Sequence, residues 1–231
     1  MRRLVLFDID GTLLSAGGSG KRAFRDALVE TFGATGPIDE YSFAGRTDPQ
    51  IARELLVADG VDAARIDAGM EALWEAYLRH FAREVAAAEV RTLPGVPALV
   101  DRVEAAGNGV VLGLLTGNVR EGARMKLDRA GLGFGRFRVG AYGSDHADRP
   151  ELPAVAVARA RALTGHLYRG KEIVIVGDTP FDIACGEHLG VRTIAVATGG
   201  HGPDELAACG PDHLFADLAD TERVWEAIAG E

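Results

Sequence analysis

Cysteine and long apolar stretches are both scarce in this chain of 231 residues. Its two cysteines, Cys185 and Cys209, lack the spacing of metal ligands, so we expect free thiols in a reducing compartment. The apolar run 4–7 is too short for a signal peptide because acids interrupt it. No segment approaches the roughly 20 apolar residues of a membrane helix. These absences predict a cytoplasmic location and no membrane partner.

Lysine is also rare in this sequence. Three of the 25 basic side chains are lysines, which leaves 22 arginines, and no basic stripe occurs. With 34 acidic residues the net charge is -9, so a nucleic-acid partner is not expected. Because the overall field repels anions, an anionic ligand would have to be held by local positive groups.

Two kinds of periodicity divide the chain. Across residues 20–89 apolar side chains recur at three- and four-residue spacing, as Phe24, Leu28 and Phe32 do, which predicts helices that pack on one another. From Leu93 onward short β-rich runs alternate with helical stretches, which predicts βαβ units. The predicted strands are 4–7, 110–115, 137–141, 173–176, 191–197 and 213–215. The predicted helices between them are 96–105, 121–130, 152–163 and 181–189.

These patterns indicate an α/β fold with a Rossmann-like parallel sheet and helices on both of its faces. The helical block then becomes a small all-helical cap domain inserted after the first strand. We predict that residues 1–16 and 92–231 form the α/β core domain and that residues 17–91 form the cap. The glycine-rich segment 17–20 and the segment 92–95 are the expected hinges.

Two acids, Asp8 and Asp10, directly follow the first predicted strand. Carboxylates this close repel each other and lose hydration unless a cation or a proton lies between them. Open α/β sheets bind ligands at the carboxyl ends of their strands. The pair therefore indicates a hard-metal site with oxygen ligands, most simply for Mg²⁺. A hairpin turn at Asp10 and Gly11 is the alternative, but it leaves Asp8 unexplained.

Other predicted strands also end in polar residues. Thr116, Gly117 and Asn118 offer a hydroxyl and free backbone N–H groups, which suit a phosphate oxygen, although an ordinary turn with a helix cap has the same pattern. Arg149, just before a predicted helix, carries a guanidinium suited to phosphate.

A second pair of acids, Asp178 and Asp182, follows the predicted strand 173–176. Asp182 alone fits a first-turn acid favoured by the helix dipole. Asp178 lies directly after a glycine at a buried strand end, where packing gives no reason for a charge. Asp178 is therefore a candidate functional residue.

Together these segments resemble the haloacid dehalogenase superfamily of phosphohydrolases, and within it the phosphoglycolate-phosphatase-like and phosphoglucomutase-like members. Their order and spacing agree along the whole chain, and the helical insert is similar to that superfamily's small cap. The segments that carry the resemblance are Asp8-Ile9-Asp10-Gly11-Thr12, Thr116, Arg149 and Gly177-Asp178 with Asp182.

The resemblance implies a chemical role for each acid. Asp8 would attack phosphorus to form an aspartyl-phosphate, and Asp10 would protonate the leaving oxygen and then activate water. Mg²⁺ would be held by the Asp8 carboxylate, the Asp10 carbonyl and Asp178. Asp182 would steady the basic residue and a metal-bound water. Phosphoryl oxygens would be held by Thr116, Gly117, Asn118 and Arg149.

The sequence departs from the superfamily's pattern at two places. The third motif usually has lysine where this chain has Arg149, and Lys126 comes too early to replace it. Phosphoglucomutase-like relatives carry a histidine in the linker after the first motif, and the matching position is Gly20, which disfavours a phosphomutase.

The predicted cap loop around Arg46 and Thr47 is the candidate substrate contact. Thr47 or Asp48, before Pro49, is a good helix start and is expected to cap. Capping does not explain Arg46, and in relatives this loop dips into the active site. Contact between Arg46 and a distal anion of the substrate is therefore one of two open interpretations.

The interpretation that combines these observations is a Mg²⁺-dependent phosphatase of a small phosphorylated metabolite, a monomer or a homodimer. A non-catalytic or regulatory protein that binds a phosphorylated metabolite stays open as the alternative. The sequence does not identify the substrate, because cap residues select it.

Overall fold

The computed structural model describes residues 1–107 and 109–230, and these ranges contain eight strands and nine helices. The strands are β1 (Arg3–Phe7), β2 (Leu14–Ser15), β3 (Arg91–Thr92), β4 (Val110–Thr116), β5 (Val139–Tyr142), β6 (Ile173–Gly177), β7 (Arg192–Val196) and β8 (His213–Phe215). The helices are α1 (Ser19–Phe32), α2 (Asp48–Ala58), α3 (Ala63–Ala87), α4 (Val96–Ala105), α5 (Arg120–Arg129), α6 (Leu152–Thr164), α7 (Pro180–Cys185), α8 (Pro203–Ala208) and α9 (Thr221–Ala229).

Six strands form a parallel sheet in the order β5-β4-β1-β6-β7-β8, which confirms the predicted fold class. The central strand β1 pairs with both neighbours, so that Val5 lies opposite Leu112 on one side and Val174 on the other. Helices cover both faces, and the buried residues form separate apolar clusters on the two sides. Because β1, β4 and β6 run parallel, their carboxyl ends meet at one edge, where the predicted site residues follow them.

Helices α1, α2 and α3 follow one another and bury their apolar faces in a shared cluster. The short antiparallel pair of β2 and β3 brackets this helical block, with Leu14 opposite Thr92 and Ser15 opposite Arg91. The block therefore leaves and rejoins the main sheet at one place. The domain boundaries at residues 17 and 91 stay a prediction.

Some elements differ from the sequence expectation. The predicted helix 181–189 ends early, because α7 stops at Cys185 and a separate 3₁₀ turn spans Glu187–Leu189 after Gly186. Helices α8 and α9 and the β2–β3 pair were not predicted from the sequence. A strand of two residues is too short for an alternation of apolar and polar side chains to be recognised in the sequence. In the ranges 1–107 and 109–230, no helix is both long and apolar enough to cross a membrane.

The helical block depends on an aromatic cluster around Phe24, which is 1% exposed. Its ring packs edge-on against Phe43, Trp74 and Tyr77 at centroid distances of 5.4, 6.1 and 5.4 Å. We expect Phe24→Ala to lower the free energy of unfolding by about 3–5 kcal/mol, because it removes a large buried side chain. Urea denaturation would measure this. Val29→Ala on the same helix, at a side chain 53% exposed, is the control and should change little. Similar, small losses in both variants would contradict this packing.

Candidate active site

Strand β1 carries Asp8 to the edge of the sheet. Its residues Leu4 to Phe7 are fully buried between helical layers, and the Asp8 N–H donates to the Val176 carbonyl at 2.9 Å, which extends the pairing with β6 by one residue. Asp8 is consequently buried, with 6% of the residue exposed. A carboxylate in that position needs compensation from its surroundings.

Three buried carboxylates meet at this edge. Asp8, Asp178 and Asp182 each offer an oxygen, and these oxygens lie within 4.8 Å of one another. Burial, and then repulsion by Asp182, raises the pKa of Asp8 to about 7. Burial and the charge of Asp8 raise the pKa of Asp178 to about 8, against a hydrogen bond from the Thr12 hydroxyl at 2.9 Å. The metal-free cluster therefore favours protonation near neutral pH.

Arg149 is the buried cation of this cluster. Its Nη2 donates to Asp182 Oδ1 and lies 3.3 Å from Asp8 Oδ1. Burial opposes the guanidinium charge, but Asp182 and Asp8 outweigh it and raise the pKa of Arg149. The other oxygen of Asp182 accepts from the backbone N–H of Thr179 at 3.0 Å and from its hydroxyl at 2.7 Å. Both oxygens of Asp182 are thus occupied by protein donors.

The donor set fits Mg²⁺. Asp178 accepts from Thr12 with its Oδ1, and Arg149 lies beside Oδ1 of Asp8, so Oδ2 of each acid can coordinate a cation. Carboxylate oxygens are the ligands that this ion prefers. Glycines leave room beside Asp178: a Cβ at Gly11, where φ is +85°, would lie 2.3 Å from Asp178 Oδ2, and one at Gly199 would lie 1.7 Å from it.

Asp10 lies in a different environment from Asp8. Its side chain is 43% exposed, and its Oδ2 accepts from Lys126 Nζ at 2.6 Å and from Asn118 Nδ2 at 2.8 Å. The same amide nitrogen of Asn118 donates to Thr116 Oγ1 at 2.8 Å, and the Asn118 backbone N–H lies 3.4 Å from that hydroxyl. The residue expected to hold phosphate therefore also positions the second acid.

The loop before α2 packs directly on the end of β4. A Cβ at Gly117 would lie 1.9 Å from the carbonyl oxygen of Arg46, so only glycine permits this approach. Asp48 Oδ2 accepts from the Val119 N–H at 2.7 Å, and burial raises the pKa of Asp48 to about 6. The side-chain cap of α2 is Thr47, as one of the two predicted alternatives had it. Asp48 instead joins the helical block to the core.

The Arg46 guanidinium is held by neighbouring side chains. Its Nη1 lies 3.0 Å from Glu54 Oε2, and its Cζ atom lies 5.2 Å from the Tyr41 ring centroid and 5.7 Å from that of Phe181. Arg46 thus forms an ion pair with Glu54 and also lines the cavity wall. Its contact with a substrate stays a prediction.

One cavity of about 610 Å³ collects most of the predicted site residues. Asp182 does not line it and lies behind Arg149 and Thr179. Two residues given no role from the sequence belong to this region: Thr12, which donates to Asp178, and Lys126, which donates to Asp10. The one signal for Lys126 was its rarity, as a lysine in an arginine-rich chain. The predicted residues that line the cavity are Asp8, Asp10, Arg46, Thr116, Gly117, Asn118, Arg149 and Asp178.

This chain matches a family model, curated proteins and solved structures. The family model for haloacid dehalogenase-like hydrolases matches residues 5–187. Phosphoglycolate phosphatase of Rhodospirillum rubrum is 30% identical over 227 residues, covering 95% of this chain and 89% of that protein. Pyrophosphatase PpaX of Anoxybacillus flavithermus is 26% identical, covering 94% and 93% of the two chains. The crystal structure of CbbY from Rhodobacter sphaeroides in complex with phosphate matches with a TM-score of 0.66 at 21% identity, covering 95% and 96%.

The raised pKa values of Asp8 and Asp178 predict how pH and Mg²⁺ act on stability. Unfolded, both groups ionise near pH 4, whereas folded and metal-free they hold protons up to about pH 7 and 8. Their contribution to the stability of the metal-free protein therefore falls as pH rises from 4 to 8. Because Mg²⁺ binds the ionised form, saturating Mg²⁺ should raise Tm by about 5 °C or more at pH 8 and by less at pH 5.5.

Thermal unfolding with Mg²⁺ or EDTA at the two pH values measures this effect. Asp178→Asn should abolish most of the Mg²⁺-dependent shift, since it replaces a predicted carboxylate ligand with an uncharged amide. Asp182→Asn should retain more of the shift, because its oxygens already bind protein donors. A Mg²⁺ shift that is equal at both pH values, or equal in the two variants, would contradict the assignment.

Proposed function

This chain belongs to the haloacid dehalogenase-like hydrolases, and we propose that it is a Mg²⁺-dependent phosphatase that hydrolyses a small phosphorylated metabolite through an aspartyl-phosphate on Asp8. The observation that carries the proposal is the contrast between the two acids after β1. Asp8 is buried beside Arg149 and Asp178, whereas Asp10 is half-exposed and faces the same cavity from another side. Two carboxylates in unlike environments suit two different roles.

The first step is nucleophilic attack by Asp8. One carboxylate oxygen bonds to phosphorus while the ester P–O bond breaks, and the leaving oxygen takes a proton from Asp10. Arg149, 3.3 Å from Asp8 Oδ1, offsets the negative charge that the nucleophile and the phosphoryl group bring together. Mg²⁺ held by Asp8, Asp178 and the Asp10 carbonyl would add further charge neutralisation when bound.

The second step returns the free enzyme. Asp10, now ionised, removes a proton from water, which attacks the phosphorus of the aspartyl-phosphate, and the Asp8 carboxylate leaves. Thr116, with the backbone N–H groups that follow it, would hold the phosphoryl oxygens through both steps. Asp182 accepts a hydrogen bond from Arg149 with one oxygen and from the Thr179 N–H with the other. It is therefore suited to hold Arg149 in position without contacting the substrate.

The enclosure of the site supports a small substrate. The loop before α2 packs on Gly117 and joins the rim through Asp48, so the helical block covers the cavity. A space of about 610 Å³ has room for a small phosphorylated molecule. The names of the relatives, a phosphoglycolate phosphatase and a pyrophosphatase, agree on phosphate chemistry and differ in substrate. We therefore propose the class of substrate and not one compound.

Phosphate release from a panel of phosphorylated metabolites tests the proposal, with Mg²⁺ in one arm and EDTA in the other. Release that depends on Mg²⁺ supports a phosphatase. Saturable binding of panel members without turnover of any would instead support the non-catalytic alternative.

Asp8→Asn should keep the fold and lower turnover by several orders of magnitude, because an amide is a far weaker nucleophile than a carboxylate. Steady-state phosphate release measures turnover, and circular dichroism verifies the fold. Asp145→Asn is the matched control, since Asp145 follows strand β5 of the same sheet and pairs with Arg159 instead of lining the cavity. Turnover near that of wild type in Asp8→Asn would exclude this mechanism.

Arg149→Ala should lower the hydrolysis rate by roughly a hundredfold or more, the scale of losing one charge-stabilising donor. Arg149→Lys should recover much of the loss, because an ammonium restores the positive charge between Asp8 and Asp182. Kinetics at saturating Mg²⁺ measure both, with Arg159→Ala on α6 as the control. Full activity of Arg149→Ala would show that another group supplies this charge.

A further inference from the structure

Lys126 is a buried lysine that the mechanism above does not use. It lies on α5, where the neighbouring basic residue Arg124 pairs with surface acids, yet Lys126 itself is only 5% exposed. Burying an ammonium group is costly unless hydrogen bonds and an opposite charge compensate it. The groups that accept hydrogen bonds from its ammonium therefore indicate why this lysine is buried.

The Lys126 ammonium binds two groups at the cavity wall. Nζ donates to Asp10 Oδ2 at 2.6 Å and to Asn118 Oδ1 at 2.6 Å. Asn118 Nδ2 donates to the same Asp10 oxygen at 2.8 Å. Asp10 Oδ2 thus accepts two hydrogen bonds, whereas Oδ1 has no partner in the described part of the chain. Lys126 and Asn118 together make the two oxygens of Asp10 unequal.

This inequality matters for proton donation. A neutral carboxylic acid carries its proton on one oxygen and accepts hydrogen bonds on the other. Because N–H donors occupy Oδ2, the proton of a neutral Asp10 must lie on Oδ1. The side chain of Asp10 is 43% exposed and lines the cavity, so Oδ1 is the oxygen available to a bound substrate.

We propose that Lys126 is a positioning residue for leaving-group protonation: with Asn118 it holds Oδ2 of Asp10 and so presents Oδ1 to the ester oxygen. The inference rests on the proposed function. As the ester P–O bond breaks, its electron pair goes to the leaving oxygen, which takes the proton from Oδ1. Lys126 keeps its own proton throughout and acts only through Asp10.

A purely structural role is the alternative, in which the ion pair fixes α5 against the loop after β4. The two roles differ in their dependence on the leaving group. A positioning role matters only when the departing oxygen needs a proton, whereas a structural defect slows the hydrolysis of every ester. Two probes of similar size separate the roles: p-nitrophenyl phosphate, whose phenolate leaves without a proton, and benzyl phosphate, whose alkoxide requires one.

The experiment measures single-turnover release of each alcohol by the full chain with saturating Mg²⁺. Lys126→Met keeps most of the side-chain length and removes the donors and the charge. We expect it to slow benzyl alcohol release by roughly a hundredfold, the scale of general acid catalysis, and to change p-nitrophenol release less than about threefold. Lys171→Met is the matched control, because Lys171 pairs with Asp212 at the surface and should leave both rates unchanged.

A double-mutant cycle tests whether Lys126 acts through Asp10. In an Asp10→Asn background, Lys126→Met should slow benzyl alcohol release little further, since the donor is already lost. Should Lys126→Met not fold, Lys126→Gln, which retains a neutral donor, provides the same comparison between the two probes.

The outcomes distinguish this inference from the proposed function. Equal slowing of both probes, no slowing of either, or a full additional loss in the Asp10→Asn background would overturn the role of Lys126 while leaving the phosphatase intact. A wild-type protein inactive on both probes and on the whole metabolite panel would overturn the proposed function, and this inference with it.

Discussion

The crowding of negative charge at the carboxyl end of β1 is the constraint on which the rest of the structure depends. Asp8, Asp178 and Asp182 are buried within a few ångströms of one another, and Arg149 is the buried cation that contacts two of them. Hydroxyl and N–H donors from Thr12 and Thr179 relieve part of the repulsion. The remaining negative charge must be balanced by protons or by a cation. The cluster is therefore suited to bind a metal ion, and the strands that precede Asp8 and Asp178 hold its carboxylates close together.

The same edge of the sheet separates two acids that are only two residues apart. Asp8 continues the line of β1 into the buried cluster, whereas Asp10 turns toward α5 and meets Lys126 and Asn118. Different surroundings give identical side chains different chemistry, because burial and neighbouring charge act on each separately. The turn that follows Asp10 has its glycine, Gly11, at a φ of +85° and passes close to Asp178.

The helical block packs closely against the core. The carbonyl of Arg46 occupies the space that a side chain at Gly117 would fill, and Asp48 accepts a core N–H with its buried carboxylate. These contacts use backbone groups of the same loop whose side chains are expected to hold phosphate. The position of the helical block and the conformation of the loop after β4 are therefore physically coupled.

The parallel sheet, the helical insert and most of the cavity residues follow from the sequence by itself. Buried apolar strands that end in Asp8, Thr116 and Asp178 bring those residues to one edge in any parallel sheet, because the carboxyl ends of neighbouring strands coincide. Only the tertiary structure determines which side chains on the helices contact these site residues. Lys126 is 116 residues from Asp10, and local periodicity does not state which face of α5 meets which loop. The contacts of Arg46 with Glu54 and Phe181 have the same origin, since long side chains take the partner that packing leaves within reach.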